Sequence, residues 1–384
     1  MTVEDLVRTR GVLICCGTGG VGKTTTAAVL ALEGARCGRR AIVVTIDPAK
    51  RLADTLGLSS LSDVPTAIGR DRWDVDGAAP AEGHLSALML DTKSTFDSLV
   101  RRYADTDEQA QRILENRFYR NVSGALGGTQ EYMAMEKLHE LHDSGDFDLI
   151  VVDTPPTRHA LDFLDAPNRL LRLLDNRIFR LLMMPTRAYL RVASVAVQGF
   201  LRTIARVVGS EVIEDVVAFF RAFEGMEEGF RTRAAAVSEL LADPSTGFVL
   251  ITAPRRDAVE EAHFFAQRLR DHHQAVEALI VNRVHPRFGD ESPEGLRARA
   301  AELRALSGAP AEAASLAAAY DNLADFHEVA RRERESLTGI RELAGPGVIA
   351  FVPFLAHDVF DFGALDDIGH HLFAADDEVA EAER

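Results

Sequence analysis

The sequence predicts an α/β protein with a doubly wound, mostly parallel sheet of seven to eight strands. Short apolar runs alternate with segments of helical periodicity, a Gly-rich loop joins the first run to the first long helix, and polar motifs directly follow several later runs. Alternating strands and helices favour a parallel sheet covered by helices. In such sheets ligands bind at the carboxyl ends of the strands, which is where these motifs fall.

Seven apolar runs are interpreted as strands. They lie near residues 11–16, 41–46, 85–91, 148–153, 247–252, 278–283 and 347–352. Residues 59–82 are rich in Asp, Pro and Gly, which is typical of a loop. Residues 286–343 contain a long stretch rich in Ala, Glu and Arg, which we interpret as a helical hairpin whose charges form a solvated face.

The Gly-rich loop is a complete phosphate-binding motif, because residues 17–24 read Gly-Thr-Gly-Gly-Val-Gly-Lys-Thr. The glycines let successive backbone N–H groups point at a β-phosphate, and the following helix adds the positive end of its dipole. Lys23 places a charge between the β- and γ-phosphates, and the hydroxyl of Thr24 is a ligand for Mg²⁺. The motif predicts binding of a nucleoside triphosphate with Mg²⁺. The predicted binding residues are Gly19, Gly20, Val21, Gly22, Lys23, Thr24 and Thr25.

Three further strand ends carry side chains suited to phosphoryl transfer. Asp47 follows the second run, Asp153 the fourth and Asn282 the sixth. Hydrolysis requires a held Mg²⁺, neutralised phosphates and an oriented water. Asp153 suits the Mg²⁺ shell through a coordinated water, Asp47 suits the orientation of the attacking water, and Asn282 offers a donor and an acceptor to a purine. Lys23 and Asp47 are therefore the predicted catalytic residues.

These motifs resemble those of a known family. Gly-Gly-Val-Gly-Lys-Thr-Thr, Asp-Pro-Ala and Asp-Thr-Pro-Pro-Thr-x-His-x-Leu are similar to motifs of the ArsA-type ATPases. That family comprises the arsenite-pump ATPases and their relatives that deliver tail-anchored membrane proteins, within the deviant Walker A (SIMIBI-type) P-loop class. The resemblance runs from about residue 11 to residue 353 and implies a dimeric ATPase that uses ATP and Mg²⁺.

The resemblance also implies roles for single residues. Asp47 matches the hydrolytic carboxylate of switch I. Switch II is matched by Asp153, Thr154, Pro156 and His159, and the Pro155–Pro156 pair stiffens a loop suited to sensing the γ-phosphate. Asn282 matches the residue that reads adenine, and Pro353 falls where the last strand of the family meets the adenine ring.

Position 18 departs from the family pattern. The signature lysine, which reaches the phosphates of the partner subunit, is replaced here by Thr18. The loss of a finger-type cation lowers hydrolysis by roughly 10³–10⁵. Three explanations stay open: slow turnover, pairing with a paralogue that keeps its lysine, or compensation by a neighbouring cation. The candidate cations are Lys50, Arg51 and Arg158. The chain is thus either a homodimeric ATPase or a slow or non-catalytic subunit of a heterodimer.

The cysteines argue against several functions of the wider class. The members that handle tail-anchored proteins use a Cys-x-x-Cys zinc site, which has no counterpart in this sequence. Cys15 and Cys16 are adjacent on a strand, so their side chains point to opposite faces, and Cys37 ends the following helix. We therefore expect no zinc site, no three-thiol arsenite site and no iron–sulfur cluster.

A helical insertion of the client-binding type is predicted over residues 166–240. Its apolar residues recur at helical spacing, and its charges between residues 166 and 208 are one-sided. The basic residues there are Arg169, Arg172, Arg177, Arg180, Arg187, Arg191, Arg202 and Arg206, against the single acidic residue Asp175. Three interpretations stay open: an amphipathic layer on the sheet, a groove for a hydrophobic client helix, or a surface for a membrane-associated partner. Nucleic acid is disfavoured because the chain is acidic and the segment lacks stacking aromatics.

The remaining chain is predicted to form one discontinuous ATPase core of residues 1–165 and 241–373, followed by an acidic tail of residues 374–384. With 384 residues and 47% apolar content, the chain has enough apolar surface for one large core. The net charge of −16, the lack of a membrane-length apolar run and an N-terminus without a signal peptide predict a cytoplasmic protein with at most a peripheral membrane role. His272 and His273 are interpreted as surface residues.

Overall fold

An eight-stranded sheet forms the centre of the molecule. The computed structural model describes residues 2–47, 51–122, 129–155, 162–175, 210–305 and 311–373. The strands are β1 (Val12–Gly17), β2 (Arg40–Thr45), β3 (Thr66–Ile68), β4 (His84–Met89), β5 (Leu149–Asp153), β6 (Thr246–Thr252), β7 (Val276–Val284) and β8 (Val348–Pro353).

The strand order is β3-β4-β2-β5-β1-β6-β7-β8. Every neighbouring pair is parallel except β3 and β4, which are antiparallel. Because β1 lies between β5 and β6, the loop at its carboxyl end emerges in the middle of the sheet. This arrangement confirms the predicted mostly parallel α/β class.

Helices lie on both faces of the sheet. Numbered in chain order within the described ranges, they are α1 (Val3–Thr9), α2 (Lys23–Arg36), α3 (Arg51–Thr55), α4 (Arg70–Trp73), α5 (Thr92–Tyr103), α6 (Asp107–Leu114), α7 (Arg117–Val122), α8 (Thr129–Ser144), α9 (Asp162–Asp175), α10 (Ser210–Ala222), α11 (Glu227–Ala242), α12 (Arg256–Asp271), α13 (Pro293–Ala305), α14 (Ala311–Ser336), α15 (Arg341–Ala344) and α16 (Phe362–Leu372). None of these described helices is long and apolar enough to cross a membrane.

Two apolar layers follow from the alternation of side chains along the strands. On β1, Leu13 and Cys15 belong to one buried cluster, whereas Val12, Ile14 and Cys16 belong to the other. The first cluster includes side chains of α1, α2 and α16, and the second includes side chains of α8, α11 and α12. Burial on both faces explains why the strands appear in the sequence as continuous apolar runs. It also confirms that Cys15 and Cys16 point to opposite faces.

The seven predicted strands are all present, within a few residues of their expected bounds. The prediction of a loop over residues 59–82 is wrong in part, because β3 and α4 lie within this segment. β3 is an edge strand of three residues, too short to show a periodic pattern. Trp73 of α4 is buried, and its indole N–H donates a hydrogen bond to the Ile68 carbonyl oxygen at 3.2 Å. Trp73 thus packs this Gly- and Pro-rich segment into the apolar cluster that includes α2.

A third apolar cluster lies outside the sheet and joins α5, α6, α7 and α8 to α9, α10 and α11. Its centre is aromatic: the rings of Phe219 and Tyr119 are 6.0 Å apart and 9° from parallel, and Phe219 lies 4.9 Å from Phe223. Helices α9 to α11 belong to the predicted insertion over residues 166–240. Residues 176–209, which carry most of its arginines, lie outside the described residues, as does the acidic tail of residues 374–384.

α13 and α14 pack side by side within the span for which a hairpin is predicted, residues 286–343. Arg297 and Asp325 form an ion pair between the two helices at 2.9 Å. The ring nitrogens of His327 lie 2.9 Å from the Glu291 carbonyl oxygen and 3.2 Å from that of Phe288, so this buried ring fixes the turn that enters α13.

A buried polar network joins α8 to α11. Arg233 donates a hydrogen bond from Nε to Oε2 of Glu136 at 2.8 Å, and the hydroxyl of Tyr132 donates to the other carboxylate oxygen. Glu136 is only 1% exposed. Burial raises its pKa, although the hydrogen bonds from Tyr132 and Arg233 act to lower it. The desolvation of this carboxylate therefore outweighs the stabilisation that its partners provide.

We expect Arg233→Met to lower the free energy of unfolding by about 3–5 kcal/mol, because it leaves the Glu136 carboxylate buried without its ion-pair partner. Adding Glu136→Gln should recover most of this loss, since no buried charge then remains. Urea denaturation measures both effects.

Arg256→Met is the matched control for that comparison. It removes the exposed Arg256–Glu260 pair, in which the arginine side chain is 90% exposed, and should change stability by under about 1 kcal/mol. If the Arg233 and Arg256 variants lost the same free energy of unfolding, the buried Glu136–Arg233 pair would contribute no more to stability than an exposed pair.

Candidate nucleotide-binding site

The P-loop between β1 and α2 adopts a conformation that requires glycine at two positions. Gly17 and Gly22 have φ values of +154° and +95°, and Gly22 is the left-handed residue that precedes the first turn of α2. A Cβ atom at Gly17 would lie 2.1 Å from the Ile251 carbonyl oxygen, and one at Gly22 would lie 2.1 Å from the Asn282 amide nitrogen. The Ile251 carbonyl group of β6 and the Asn282 side chain of β7 therefore leave no room for a Cβ atom at these two positions.

Lys23 begins α2 and is buried, with 5% of its surface exposed. Its Nζ donates a hydrogen bond to the Thr18 carbonyl oxygen at 2.8 Å, so the ammonium group is turned toward the loop. Burial lowers the pKa of Lys23, and the nearby carboxylate of Asp153 acts in the opposite direction. An added anion at the loop would favour the charged form of this lysine.

Asp153, the last residue of β5, is 1% exposed and accepts two hydrogen bonds on Oδ2. The Thr24 hydroxyl donates one at 2.7 Å and the Thr45 hydroxyl donates the other at 3.0 Å. Burial raises the pKa of this carboxyl against the effect of these hydrogen bonds and of Lys23. Its second oxygen, Oδ1, has no hydrogen-bond partner within the described parts of the chain. An orphaned carboxylate oxygen beside a hydroxyl is a donor set that fits Mg²⁺, which prefers oxygen ligands.

Asp47 follows β2 at the same edge of the sheet. Its backbone N–H donates a hydrogen bond to the Thr45 hydroxyl oxygen at 3.2 Å, and its carboxylate lies 3.9 Å from the guanidinium of Arg51. Thr45 therefore links the backbone of Asp47 to the carboxylate of Asp153. The structure thus brings together the two acidic residues that the sequence selects, and it adds Thr45, whose role only the three-dimensional arrangement reveals.

Only the first part of the predicted switch II segment is described. The Thr154 hydroxyl donates a hydrogen bond to the Cys15 carbonyl oxygen at 2.7 Å, which fixes this residue to β1. Pro155 is half-buried. Pro156 and His159 lie outside the described residues, as do Lys50 and Arg158, so their roles stay predictions.

Asn282 and Arg283, near the end of β7, both contact the P-loop. The Asn282 amide donates a hydrogen bond to the Val21 carbonyl oxygen at 2.8 Å, and the Arg283 guanidinium donates to the Gly20 carbonyl oxygen at 3.0 Å. The role of Asn282 in reading adenine stays a prediction. Arg283 is not selected by any sequence pattern. Pro353 ends the adjacent strand β8, where it pairs with Val284.

Thr18 is buried, and its hydroxyl has no hydrogen-bond partner among the described residues. Its carbonyl oxygen is the acceptor for Lys23. Among the three cations considered for compensation, only Arg51 is described, with a side chain that is 61% exposed. Position 18 therefore contributes a neutral, inward-facing side chain rather than a charge at the surface.

The three cysteines lie outside residues 17–24 of the P-loop. Cys15 and Cys16 are buried within β1 and Cys37 is half-buried at the end of α2, all as free thiols. Burial raises the pKa of Cys16 to about 12 and, together with Glu33, that of Cys37 to about 11. These thiols are therefore protonated at neutral pH.

A P-loop in the middle of a parallel sheet, with a hydroxyl–carboxylate pair beside it, defines a P-loop nucleotide-binding protein. Residues 10–306 match the profile of the anion-transporting ATPases, and the chain belongs to this ArsA family. The predicted family and the predicted ATPase class are confirmed.

Several curated ATPases are similar to the chain. The ATPase GET3 of Malassezia globosa is 31% identical over 156 residues, which are 41% of this chain and 42% of that protein. The ATPase ASNA1 homolog of Dictyostelium discoideum is 23% identical over 289 residues, covering 74% of this chain and 75% of the relative. The ATPase GET3 of Paracoccidioides lutzii is 24% identical over 285 residues, with the same coverage. The match with the Malassezia protein thus spans about two fifths of that relative's length.

Gly22→Ala is expected to lower the melting temperature by several degrees, because the new methyl group would meet the Asn282 amide at a left-handed backbone position. Gly77→Ala is the matched control, since Gly77 has a φ of +66° but no atom within 4 Å of the added Cβ. Thermal unfolding of both variants without nucleotide isolates the clash from the backbone strain. If Gly22→Ala lowered the melting temperature no more than Gly77→Ala, the Asn282 side chain would not restrict the residue at position 22.

Asp153→Asn is expected to leave the nucleotide-free protein at least as stable as wild type at pH 7. A raised pKa in the folded state means that this carboxyl stabilises the fold when protonated and loses that contribution as pH rises through the raised value. The neutral amide keeps an acceptor for Thr24 and Thr45, and its advantage should shrink as the pH is lowered toward 4. Melting temperatures across pH 4–8 test this.

Asp148→Asn provides the control of opposite sign. Hydrogen bonds from Arg40 lower the pKa of Asp148, so its stabilisation is present above the ordinary pKa of an aspartate and is lost as pH falls. This variant should be less stable than wild type at pH 7 and equal to it in acid. If Asp153→Asn behaved in the same way as Asp148→Asn, the ionised form of Asp153 would be net stabilising.

Proposed function

We propose that the chain binds ATP with Mg²⁺ and hydrolyses it to ADP and phosphate in a nucleotide-switched cycle. The observation that carries this proposal is the continuous set of contacts from Thr24 through Asp153 and Thr45 to the backbone of Asp47. These contacts support a Mg²⁺ site beside the P-loop, with Asp47 as a second carboxylate close to it. Binding alone would require the loop and its lysine but not Asp47.

The binding half of the proposal rests on the P-loop. The N–H groups of Gly19 to Thr25 would surround the β-phosphate, and Lys23 would turn from the Thr18 carbonyl oxygen to the phosphates. Thr24 and the Oδ1 side of Asp153 would hold Mg²⁺, directly and through a water respectively. When bound, the ion supplies positive charge to the phosphate oxygens.

The orientation of Asn282 supports a preference for adenine. The Val21 carbonyl oxygen can only accept a hydrogen bond, so the amide must present its nitrogen to the loop. We propose that the remaining amide oxygen, Oδ1, is the acceptor offered to the base. An acceptor at that place matches the exocyclic amino group of adenine and opposes the carbonyl oxygen of guanine.

The hydrolytic half of the proposal rests on Asp47. Asp153 is buried and already accepts hydrogen bonds from Thr24 and Thr45, so it is poorly placed to take a proton from water. Asp47 is half-buried and lies at the edge of the same site, with a side-chain exposure of 16%. We assign to it the orientation of the attacking water, with Lys23 stabilising charge on the phosphates.

We further propose that the nucleotide state acts on the helical layer. Gln130 in the first turn of α8 donates a hydrogen bond to the Ile46 carbonyl oxygen at 3.0 Å, one residue before Asp47. Farther along α8, Glu136 is paired with Arg233 of α11. A movement of the segment around Asp47 would therefore displace α8 and, through the Glu136–Arg233 pair, the layer that contains α11. This layer would carry a hydrophobic client or a peripheral membrane partner of a cytoplasmic dimer.

Thr18 favours a second candidate function. A neutral, buried residue at this position provides no charge to a partner subunit. The chain would then be a slow or non-catalytic subunit that binds ATP and forms a heterodimer with a paralogue that supplies the missing cation. Intact Lys23, Thr24, Asp47 and Asp153 favour the first candidate.

Asp47→Asn is expected to lower the rate of phosphate release from Mg-ATP by roughly 10²–10⁴ while leaving the Kd for ATP within a few-fold of wild type. The reason is that the amide cannot orient and deprotonate water, whereas the loop contacts are unchanged. Phosphate release over a series of protein concentrations measures turnover, and fluorescence titration measures binding.

Asp54→Asn is the matched control, because Asp54 is an exposed aspartate on α3. Wild-type turnover that rises with protein concentration would support a self-sufficient homodimer. Tight ATP binding without turnover in wild type would favour the heterodimeric subunit. Loss of ATP binding in Asp47→Asn would contradict the role given to this residue.

A further inference from the structure

A bulge near the end of β7 turns Arg283 out of the regular strand. Asn282 pairs with Val352 and Val284 pairs with Pro353, so Arg283 is an extra residue on the β7 side of this pairing. Its φ of +64° is left-handed, a conformation shared by only one other non-glycine among the described residues, His273. Bulges next to ligand sites commonly re-aim a side chain, and this one directs Arg283 to the P-loop.

Two consecutive side chains of β7 hold two consecutive carbonyl groups of the P-loop. Arg283 donates to the Gly20 carbonyl oxygen at 3.0 Å, and Asn282 donates to the Val21 carbonyl oxygen at 2.8 Å. In a trans peptide the C=O group and the following N–H group point in opposite directions. Holding these two carbonyl groups toward β7 therefore directs the N–H groups of Val21 and Gly22 away from β7, into the phosphate nest.

The left-handed backbone of Arg283 is costly, and Gly or Asn at this position would lower the cost. Left-handed backbone geometry brings the Cβ atom of an L residue close to the following carbonyl oxygen, whereas Gly has no Cβ and Asn tolerates the conformation. Strained residues that persist in a fold concentrate at functional sites. The strain here coincides with a charged contact to the nucleotide loop, and the side chain is exposed, so its charge is also open to solvent and ligand.

We propose that Arg283 is a positioning residue of the nucleotide site: it fixes the Gly20–Val21 peptide and adds positive charge at the rim of a P-loop whose position 18 is neutral. It acts on the nucleotide bound by its own chain. This inference rests on the proposed function, because it requires that the loop binds the phosphates of a nucleotide. The β-phosphate is the group served by the Val21 and Gly22 N–H groups, so ATP and ADP should depend on Arg283 alike.

Arg283→Asn is the variant that separates this role from folding, since Asn tolerates the left-handed backbone. We expect its melting temperature without nucleotide to equal or exceed that of wild type. Its Kd for Mg-ATP and for Mg-ADP, measured by titration calorimetry, should rise roughly 10-fold, because a charged hydrogen-bond donor is lost. The weakening of ATP binding by added NaCl should also become less steep, because one cation is removed from the rim.

Arg283→Lys and Arg297→Asn complete the experiment. The lysine variant keeps the charge and one donor and should recover part of the affinity and the salt dependence. Arg297 is an exposed arginine on α13 that is paired with Asp325. Its replacement should leave the affinity for nucleotide and the salt dependence of binding unchanged.

Unchanged nucleotide affinity and salt dependence in Arg283→Asn would overturn the inference. The contact between Arg283 and the Gly20 carbonyl oxygen would then have only a structural role. A loss confined to ATP, with ADP binding intact, would also overturn it, because the residue would then act on a γ-phosphate rather than on its own loop. If the wild-type chain bound neither nucleotide, the proposed function itself would fail, and the inference with it.

Discussion

Parallel pairing of the central strands sets the geometry on which the candidate site depends. The register places Asp153 level with Cys15 on one side and with Thr45 on the other. Thr45 therefore reaches the carboxylate of Asp153, and Thr154 reaches the backbone of β1. A slip of one residue would turn the side chains of β5 to the opposite face and separate Asp153 from Thr24. Because buried side chains on both faces fix this register, packing of the core and geometry of the site have the same cause.

The parallel strands of the sheet and the P-loop, Asp47 and Asp153 of the candidate site can be predicted from sequence because each leaves a local pattern. The parallel strands are buried on both faces and so leave continuous apolar runs, and the P-loop, Asp47 and Asp153 follow such runs directly. β3 is too short to leave a pattern, and the packing of Trp73 into the apolar cluster that includes α2 is not visible in local periodicity. Thr45 and Arg283 gain their roles only from neighbours distant in sequence. The pair of Glu136 and Arg233, 97 residues apart, is equally invisible to local periodicity.

Burial and charge oppose each other at the P-loop. Lys23 and Asp153 are both removed from water, and burial shifts the pKa of each toward its neutral form. An unfolded chain would solvate both groups, so the ionised site lowers the stability of the nucleotide-free fold. A ligand that brings phosphates to the lysine and a cation to the carboxylate would offset this cost. Under the proposed function, the burial of Lys23 and Asp153 would therefore favour the nucleotide-bound state over the empty one.

The aromatic cluster of the helical layer is separate from the two clusters that cover the sheet. Rings such as Phe219 and Tyr119 pack on one another rather than on the strands. A body with its own interior is a candidate for a cooperative unit that opens below the free energy of global unfolding. Helices α8 and α11 contribute side chains both to this cluster and to one of the clusters on the sheet, and the ion pair of Arg233 and Glu136 joins these two helices. We therefore expect the amide hydrogens of this layer to exchange as a group, at a rate distinct from that of the sheet.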